Sequence, residues 1–231
     1  VNIQGFTTRL GKHLKKIDEL VTDTCDNRDV RLEIEQMTRK QMPQSMDFIF
    51  NNVKKMDVLI KGLLQISRTG RAILTIRKVN MNQLLREVVN AHSFEIEQFD
   101  VTVNIGELPD CYGDKNLLNQ LFSNLLSNSI KYRKRDEELI IDITAEKHQQ
   151  KVRYILKDNG IGIEPKNLNK IWNVFFRVGT VAEETGEGIG LSIVKRIVDK
   201  HQGNIDVISE IGKGTQMMVD LPIEDFNKED K

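Results

Sequence analysis

The sequence predicts an α+β chain: an N-terminal antiparallel helical hairpin, half of a dimeric four-helix bundle, followed by a two-layer α/β sandwich with a mixed sheet. Three observations carry this. Up to about residue 70, apolar residues recur at alternating steps of three and four. Beyond it, short strand-like runs alternate with helical ones. Between the two regimes, "SRTGRA" (67–72) breaks the helical pattern. The expected boundaries are 1–72 for the hairpin, 73–225 for the sandwich and 226–231 for a frayed tail.

In the first region Ile3, Phe6, Leu10, His13, Ile17 and Leu20 form one seam. Met46, Ile49, Val53, Met56, Ile60 and Leu63 form another. Polar Asp, Asn and Arg fill much of the segment between, and Pro43 precedes the second run. The expectation is two antiparallel helices with a long connection. A second copy completing a four-helix bundle and a hairpin docked on the rest of the chain both satisfy such seams. Their length, with polar residues outside them, favours the homodimer.

In the second region "FDVTVNI", "LIIDITAEK", "KVRYILKD", "NIDVISE" and "TQMMVDL" read as strands. Helical candidates lie at about 80–97, 114–132, 165–173 and 189–201. "GELPDCYGD" (106–114) and "HQQK" (148–151) read as turns.

Composition narrows the function. The 231 residues are 39% hydrophobic, enough for a real core. The 34 basic and 34 acidic residues cancel, so no global field calls for nucleic acid. Cys25 and Cys111 form neither a metal-ligand spacing nor a disulfide framework. No apolar run reaches the roughly 20 residues of a membrane span. The chain opens on "VNIQGF" without Met, and is expected to be part of something longer, with any sensor or anchor upstream.

Four stretches carry chemistry. Winding 114–132 as a helix gathers Leu118, Phe122, Leu125, Leu126 and Ile130 on one stripe and Asn124, Asn128 and Lys131 on another. Asn is a poor helix former. Either these are surface amides bonded to neighbours, or their oxygens face a hard cation, with Lys131 beside them for a phosphate. "DNGIGIEP" (158–165) follows a strand. It is either an ordinary Asp-Asn-Gly turn or a place where Asp158 accepts from an exocyclic amine, with Gly160 and Gly162 admitting a flat ligand. "GEGIGL" (186–191) opens an apolar helix through Ile189, Ile193, Val194, Ile197 and Val198. It is neither a P-loop nor a dinucleotide fingerprint. Its glycines nonetheless free backbone N–H groups at a helix N-terminus, where an anion, best a phosphate chain, belongs. "FFRVGTVAEET" before it has the composition of a lid. "GKGT" (212–215) alone is a hairpin turn.

In this order, "NLLSNSIKY", "DNGIGI", "FFRV", "GEGIGLSIVKRIVDKHQG" and "GKGT" resemble the N, G1, F, G2 and G3 boxes of sensor histidine kinases. These share an ATPase superfamily with the gyrase B subunit and MutL. The resemblance covers about 75–223, and the helical half is similar to the dimerisation and phosphotransfer domain of the same kinases. It implies a cytoplasmic kinase core using ATP or ADP with Mg²⁺, a homodimer, and a response-regulator receiver domain as partner. By the same resemblance, Asn128 is the Mg²⁺ ligand, Asn124 a supporting polar residue, Lys131 a phosphate contact and Tyr132 a ring near the nucleoside. Asp158 reads the adenine amine, while Gly160, Gly162 and Ile163 floor the adenine pocket. Gly186, Gly188, Gly190 and Leu191 form the phosphate loop and helix start, and Thr215 supplies an adenine-side hydroxyl. Phe175, Phe176 and Arg177 are the lid hinge.

Two departures stand out. Glu187 takes a place where the family commonly has Thr or another small residue, which speaks for an alternative: a catalytically degenerate, nucleotide-binding dimeric scaffold. The phosphoacceptor histidine of the family's His-Glu/Asp-x-x-x-Pro-Leu pattern is expected roughly eight residues upstream of Val1. None of His13, His92, His148 and His201 has that context, and His201 is expected to suit its helix dipole as an imidazolium.

Overall fold

In the computed structural model, the described residues are 3–24, 28–71, 74–148, 150–177 and 188–225. They fall into two compact units, Val1–Lys61 and Gly62–Lys231.

The first unit is helical. Helix α1 (Ile3–Thr24) is followed by α2 (Arg28–Gln36), a π-helical stretch (Met37–Gln41) and α3 (Met42–Arg71). The expected long connection between two helices is therefore helix itself. The π stretch sits just before Pro43, where proline's ring and missing N–H disturb the ordinary i→i−4 ladder. Met42 N–H donates to the Met37 carbonyl, one residue further back than in an α-helix. The antiparallel pairing with α1 is closed by Asp18, which accepts from Thr38 Oγ1 at 3.0 Å and Arg39 Nε at 2.8 Å. Further along, Gly11 faces Met46. Leu10, Ile17, Ile49, Met56 and Ile60 of the two seams stay exposed within one chain. The side chains of Ile3, Phe6, Leu20 and Leu63 lie outside the described residues.

The second unit begins with β1 (Arg77–Val79), α4 (Met81–Ala91) and α5 (Ser93–Gln98). Strand β2 (Val101–Ile105), β3 (Cys111–Gly113) and α6 (Lys115–Lys131) follow. Then come β4 (Leu139–His148), β5 (Lys151–Asp158), α7 (Gly190–Lys200), β6 (Asn204–Glu210) and β7 (Gly214–Pro222). Five strands form one mixed sheet in the order β2-β4-β5-β7-β6, parallel only between β2 and β4. Strands β1 and β3 form a separate antiparallel pair. That pair corrects the reading of 106–114 as turn; three residues per strand are too few to show a period.

Alternation along each strand sends one set of side chains to a shared core. Val152, Tyr154 and Leu156 of β5 are buried beside Met217, Val219 and Leu221 of β7. Against them lie Leu84, Leu85 and Val88 of α4, Leu118, Phe122 and Leu125 of α6, and Ile193, Val194 and Ile197 of α7. Phe122 meets Tyr154 edge-on, centroids 5.8 Å apart. The buried Tyr154 hydroxyl donates to the Pro109 carbonyl at 2.6 Å. Burial pushes the Cys111 thiol up to about 12, which leaves it inert at neutral pH. The expected helix at 165–173 is replaced by a short 3₁₀ turn, Pro165–Asn167, followed by further turns. Asn167, Asn169 and Asn173 favour such local turns over a helix.

His201 corrects another expectation. It is fully buried at the end of α7, bonded through Nδ1 to the Ile197 carbonyl at 2.7 Å. Its Nε2 accepts the Asp114 N–H at 2.9 Å, which ties α7 to the start of α6. That pattern needs a neutral ring. Burial lowers its pKa from 6.5, with the Ile197 carbonyl and Asp114 opposing. Between the depressed value and 6.5 the unfolded chain binds the proton that the folded chain refuses, so stability rises with pH across that window. Urea midpoints should therefore fall as pH is lowered through 6.5, and fall less steeply in His201→Gln. Equal slopes in the two proteins would contradict this.

Candidate functional site

The ends of β5 and β7 and residues of α6 and α7 surround a cavity of about 100 Å³ that opens to solvent. The alternation that buries Val152, Tyr154 and Leu156 puts Asp158 on the same face at the end of β5. In register opposite, β7 brings Thr215, and β6 brings Ser209 opposite Thr215. A polar row thus closes a sheet face that is otherwise apolar. Helix α6 supplies Leu125, Asn128, Ser129 and Tyr132 at its C-terminal end. Ile161, Gly162, Ile163, Ile171, Phe176, Arg177, Leu191 and Met217 complete the lining.

Asp158 is 9% exposed. Its Oδ1 accepts from the Gly160 N–H at 2.9 Å and the Thr215 N–H at 3.1 Å. Its Oδ2 accepts from Ser129 Oγ at 2.9 Å. Burial raises its pKa above the usual carboxylate value, against the pull of these three donors. Asn128 is the counterpart on the helix. Among the described residues its Nδ2 is the buried side-chain polar atom without a hydrogen-bond partner. Such an orphan is costly and points to a missing partner in the cavity.

The third feature is the start of α7. Helix α4 is capped by Asn80 and α6 by Asp114, but α7 has no side-chain cap. The N–H groups of its first turn are left to an external acceptor. Gly190 lies against α6: a Cβ there would stand 3.3 Å from Asn124 Oδ1 and 3.9 Å from Asn128 Nδ2. The amide-bearing helix and the glycine-rich helix start are therefore neighbours.

Of the residues singled out from sequence, Asn128, Tyr132, Asp158, Gly162, Ile163, Arg177, Leu191 and Thr215 line one cavity. Asn124 stands behind it, its amide donating to the Gln120 carbonyl at 2.9 Å. Lys131 lies over the Tyr132 ring, with Nζ 3.3 Å from the hydroxyl. Gly160 acts through its N–H on Asp158. Gly188 is left-handed, at φ +67, and its carbonyl accepts the Phe175 N–H at 2.8 Å. Phe175 is itself left-handed, at φ +66, a strained conformation for an aromatic residue at the expected hinge. Gly186, Glu187 and most of the expected lid lie outside the described residues.

Two glycines also answer to neighbouring backbone. A Cβ on Gly162 would strike the Glu210 carbonyl oxygen at 2.0 Å, and one on Gly160 the Tyr132 carbonyl oxygen at 2.6 Å. Ser129 and Ser209 were not singled out at all. Ser129 had a signal: it is a polar residue within the apolar stripe of α6. Ser209 had none, because its place depends on strand register.

Residues 113–225 match the family described as histidine kinase-, DNA gyrase B- and HSP90-like ATPase. Sensor protein RprX of Bacteroides fragilis is 30% identical over 191 residues, which cover 79% of this chain and 37% of that protein. The chain thus spans well under half of that relative. Among solved structures, full-length ShkA in complex with AMPPNP superposes with a TM-score of 0.61 at 21% identity, covering 95% of this chain and 45% of that one. Histidine kinase ThkA in complex with response regulator TrrA gives 0.60 at 21% identity, covering 96% and 61%.

Proposed function

Since residues 113–225 are a histidine kinase catalytic ATP-binding domain, of the ATPase family shared with DNA gyrase B and HSP90, we propose that this chain is the cytoplasmic kinase core of a sensor histidine kinase. It binds Mg²⁺-ATP for transfer of the γ-phosphoryl to a histidine and then to a response-regulator aspartate. Residues 1–72 serve as its dimerisation and phosphotransfer hairpin, and 73–225 as its catalytic domain. The observation that carries the reading is the juxtaposition of Asp158, orphaned Asn128 and the uncapped start of α7 around one cavity.

Each end of a nucleotide finds its chemistry. Asp158 and Thr215 offer oxygens to a base bearing an exocyclic amine, with Ile163 in the floor beside them. The N–H groups at Gly190 and Leu191, with the positive end of the α7 dipole, suit phosphate oxygens. No group of three His, Cys, Asp or Glu able to hold a metal occurs among the described residues. A cation here would instead rest on the Asn128 amide oxygen, water and the phosphates, an arrangement that suits Mg²⁺. When bound, Mg²⁺ neutralises phosphate charge; the chain's part is to align the nucleotide and exclude alternatives. The exposed seam residues Leu10, Ile17, Ile49, Met56 and Ile60 support a homodimer through the hairpin. The solved kinase–regulator complex supports a receiver domain as partner. No helix among the described residues is long and apolar enough to cross a membrane.

Titration with ADP, with and without Mg²⁺, tests the reading. Saturable binding strengthened by Mg²⁺ is expected; no binding at millimolar ADP would overturn it. Binding of ADP is common to kinase and scaffold. Labelled ATP separates them in the full-length parent, where acid-labile phosphate is expected. These 231 residues alone should take up none: His201 is buried, His92 is bonded to Ser123, and neither His13 nor His148 precedes an acidic residue.

A further inference from the structure

Two serines, Ser129 within the "NLLSNSIKY" stretch and Ser209 outside the quoted boxes, govern the direction of the hydrogen bonds beside Asp158. Ser209 has one proton and three polar neighbours. The Ile163 N–H donates to its Oγ at 2.8 Å. The Gly214 carbonyl, which can only accept, receives its proton at 2.8 Å. The third neighbour, Thr215 Oγ1, lies at 2.9 Å. With its proton committed to Gly214, Ser209 can meet Thr215 only as an acceptor. Thr215 must therefore donate to Ser209, and the oxygen of this cavity-lining residue keeps only acceptor capacity.

The same logic holds on the other side of Thr215. Asp158 Oδ1 is filled by two backbone N–H groups, and Oδ2 receives the Ser129 proton. The rest of Oδ2 can only accept. Adjacent strands thus present two acceptors and no donor to whatever lies between them.

We propose that Ser129 and Ser209 are positioning residues that hold Asp158 and Thr215 as acceptors only, so that the cavity takes a 6-amino purine and rejects a 6-oxo purine. An exocyclic NH₂ has two hydrogens to give. A 6-oxo group would place a lone pair against an acceptor, and buried groups left unpaired in this way make the strongest discriminators. This deepens the adenine-nucleotide reading above and rests on it.

The test compares Mg²⁺-ADP with Mg²⁺-IDP by calorimetry in wild type, Ser209→Ala, Ser209→Thr and Ser129→Ala. Wild type should prefer ADP by about 100-fold. Ser209→Ala frees the Thr215 hydroxyl to donate to O6, and the preference should drop about 10-fold, chiefly through tighter IDP. Ser209→Thr keeps the hydroxyl and should keep the wild-type ratio. Ser129→Ala removes a donor that favours the charged carboxylate, so the acid limb of ADP binding should move to higher pH. A Ser209→Ala protein that binds ADP with the wild-type ratio overturns the inference, as does Ser209→Thr behaving like Ser209→Ala. Should Ser209→Ala fail to fold, an unmoved acid limb in Ser129→Ala overturns it. Absence of ADP binding by wild type overturns the underlying reading as well, whereas an unchanged ratio in binding-competent variants overturns this inference alone.

Discussion

Asp158→Asn should weaken ADP binding by about 100-fold or more while leaving the urea midpoint unchanged or higher. The two effects part because the carboxylate serves the ligand and not the fold. An asparagine oxygen can still accept from the Gly160 and Thr215 N–H groups, as Oδ1 does now. Its amide can turn to Ser129, whose oxygen accepts. Towards the base, however, a donor now stands where the amine needs an acceptor. The stability half follows from the pKa. The folded state raises the Asp158 value, chiefly by burial. Its contribution is then present below the ordinary carboxylate value and lost as pH rises through the folded one. At neutral pH the buried charge is a cost, and removing it lifts that cost. Retained ADP affinity, or a clear fall in the midpoint, would show that Asp158 is a structural residue.

Gly214→Ala should do the reverse and disable the fold, lowering stability by about 3 kcal/mol or more in urea. Gly214 has φ +104, and a Cβ there would lie 1.9 Å from the Asp158 carbonyl oxygen, on paired strand backbone that cannot move aside. Gly212 is the control. It too is left-handed, at φ +78, but nothing lies within 4 Å of its missing Cβ. Gly212→Ala should carry only the dihedral penalty, about 1–2 kcal/mol. Equal losses at the two sites would mean that backbone conformation, and not the close approach of β5, makes Gly214 necessary.

Much of this architecture was legible beforehand. The five strands of the main sheet lie where alternation put them, and the apolar stripes of α6 and α7 face the core as their spacing required. Errors gathered where local signals are short or competing. Strands β1 and β3 are three residues each. The polar segment after residue 28 is helical despite its composition, and Pro43 is accommodated by a π stretch that no periodicity announces. His201 sits at a helix end and reads as a cation for the dipole, yet the fold buries it and makes it neutral.

The sequence by itself determined the two regimes, the faces of the helices and strands, and the glycine and amide motifs, because periods of 3.6 and 2 are properties of a single element. Only the tertiary structure decided that Asp158, Thr215 and Ser209 stand in one row, that Asn128 Nδ2 has no partner among the described residues, and that neighbouring backbone comes close to Gly162 and Gly214. Those outcomes depend on which strands pair and in what register. Pairing is settled by cooperative burial of the whole sheet against three helices, a sum over distant residues that no short stretch of chain contains.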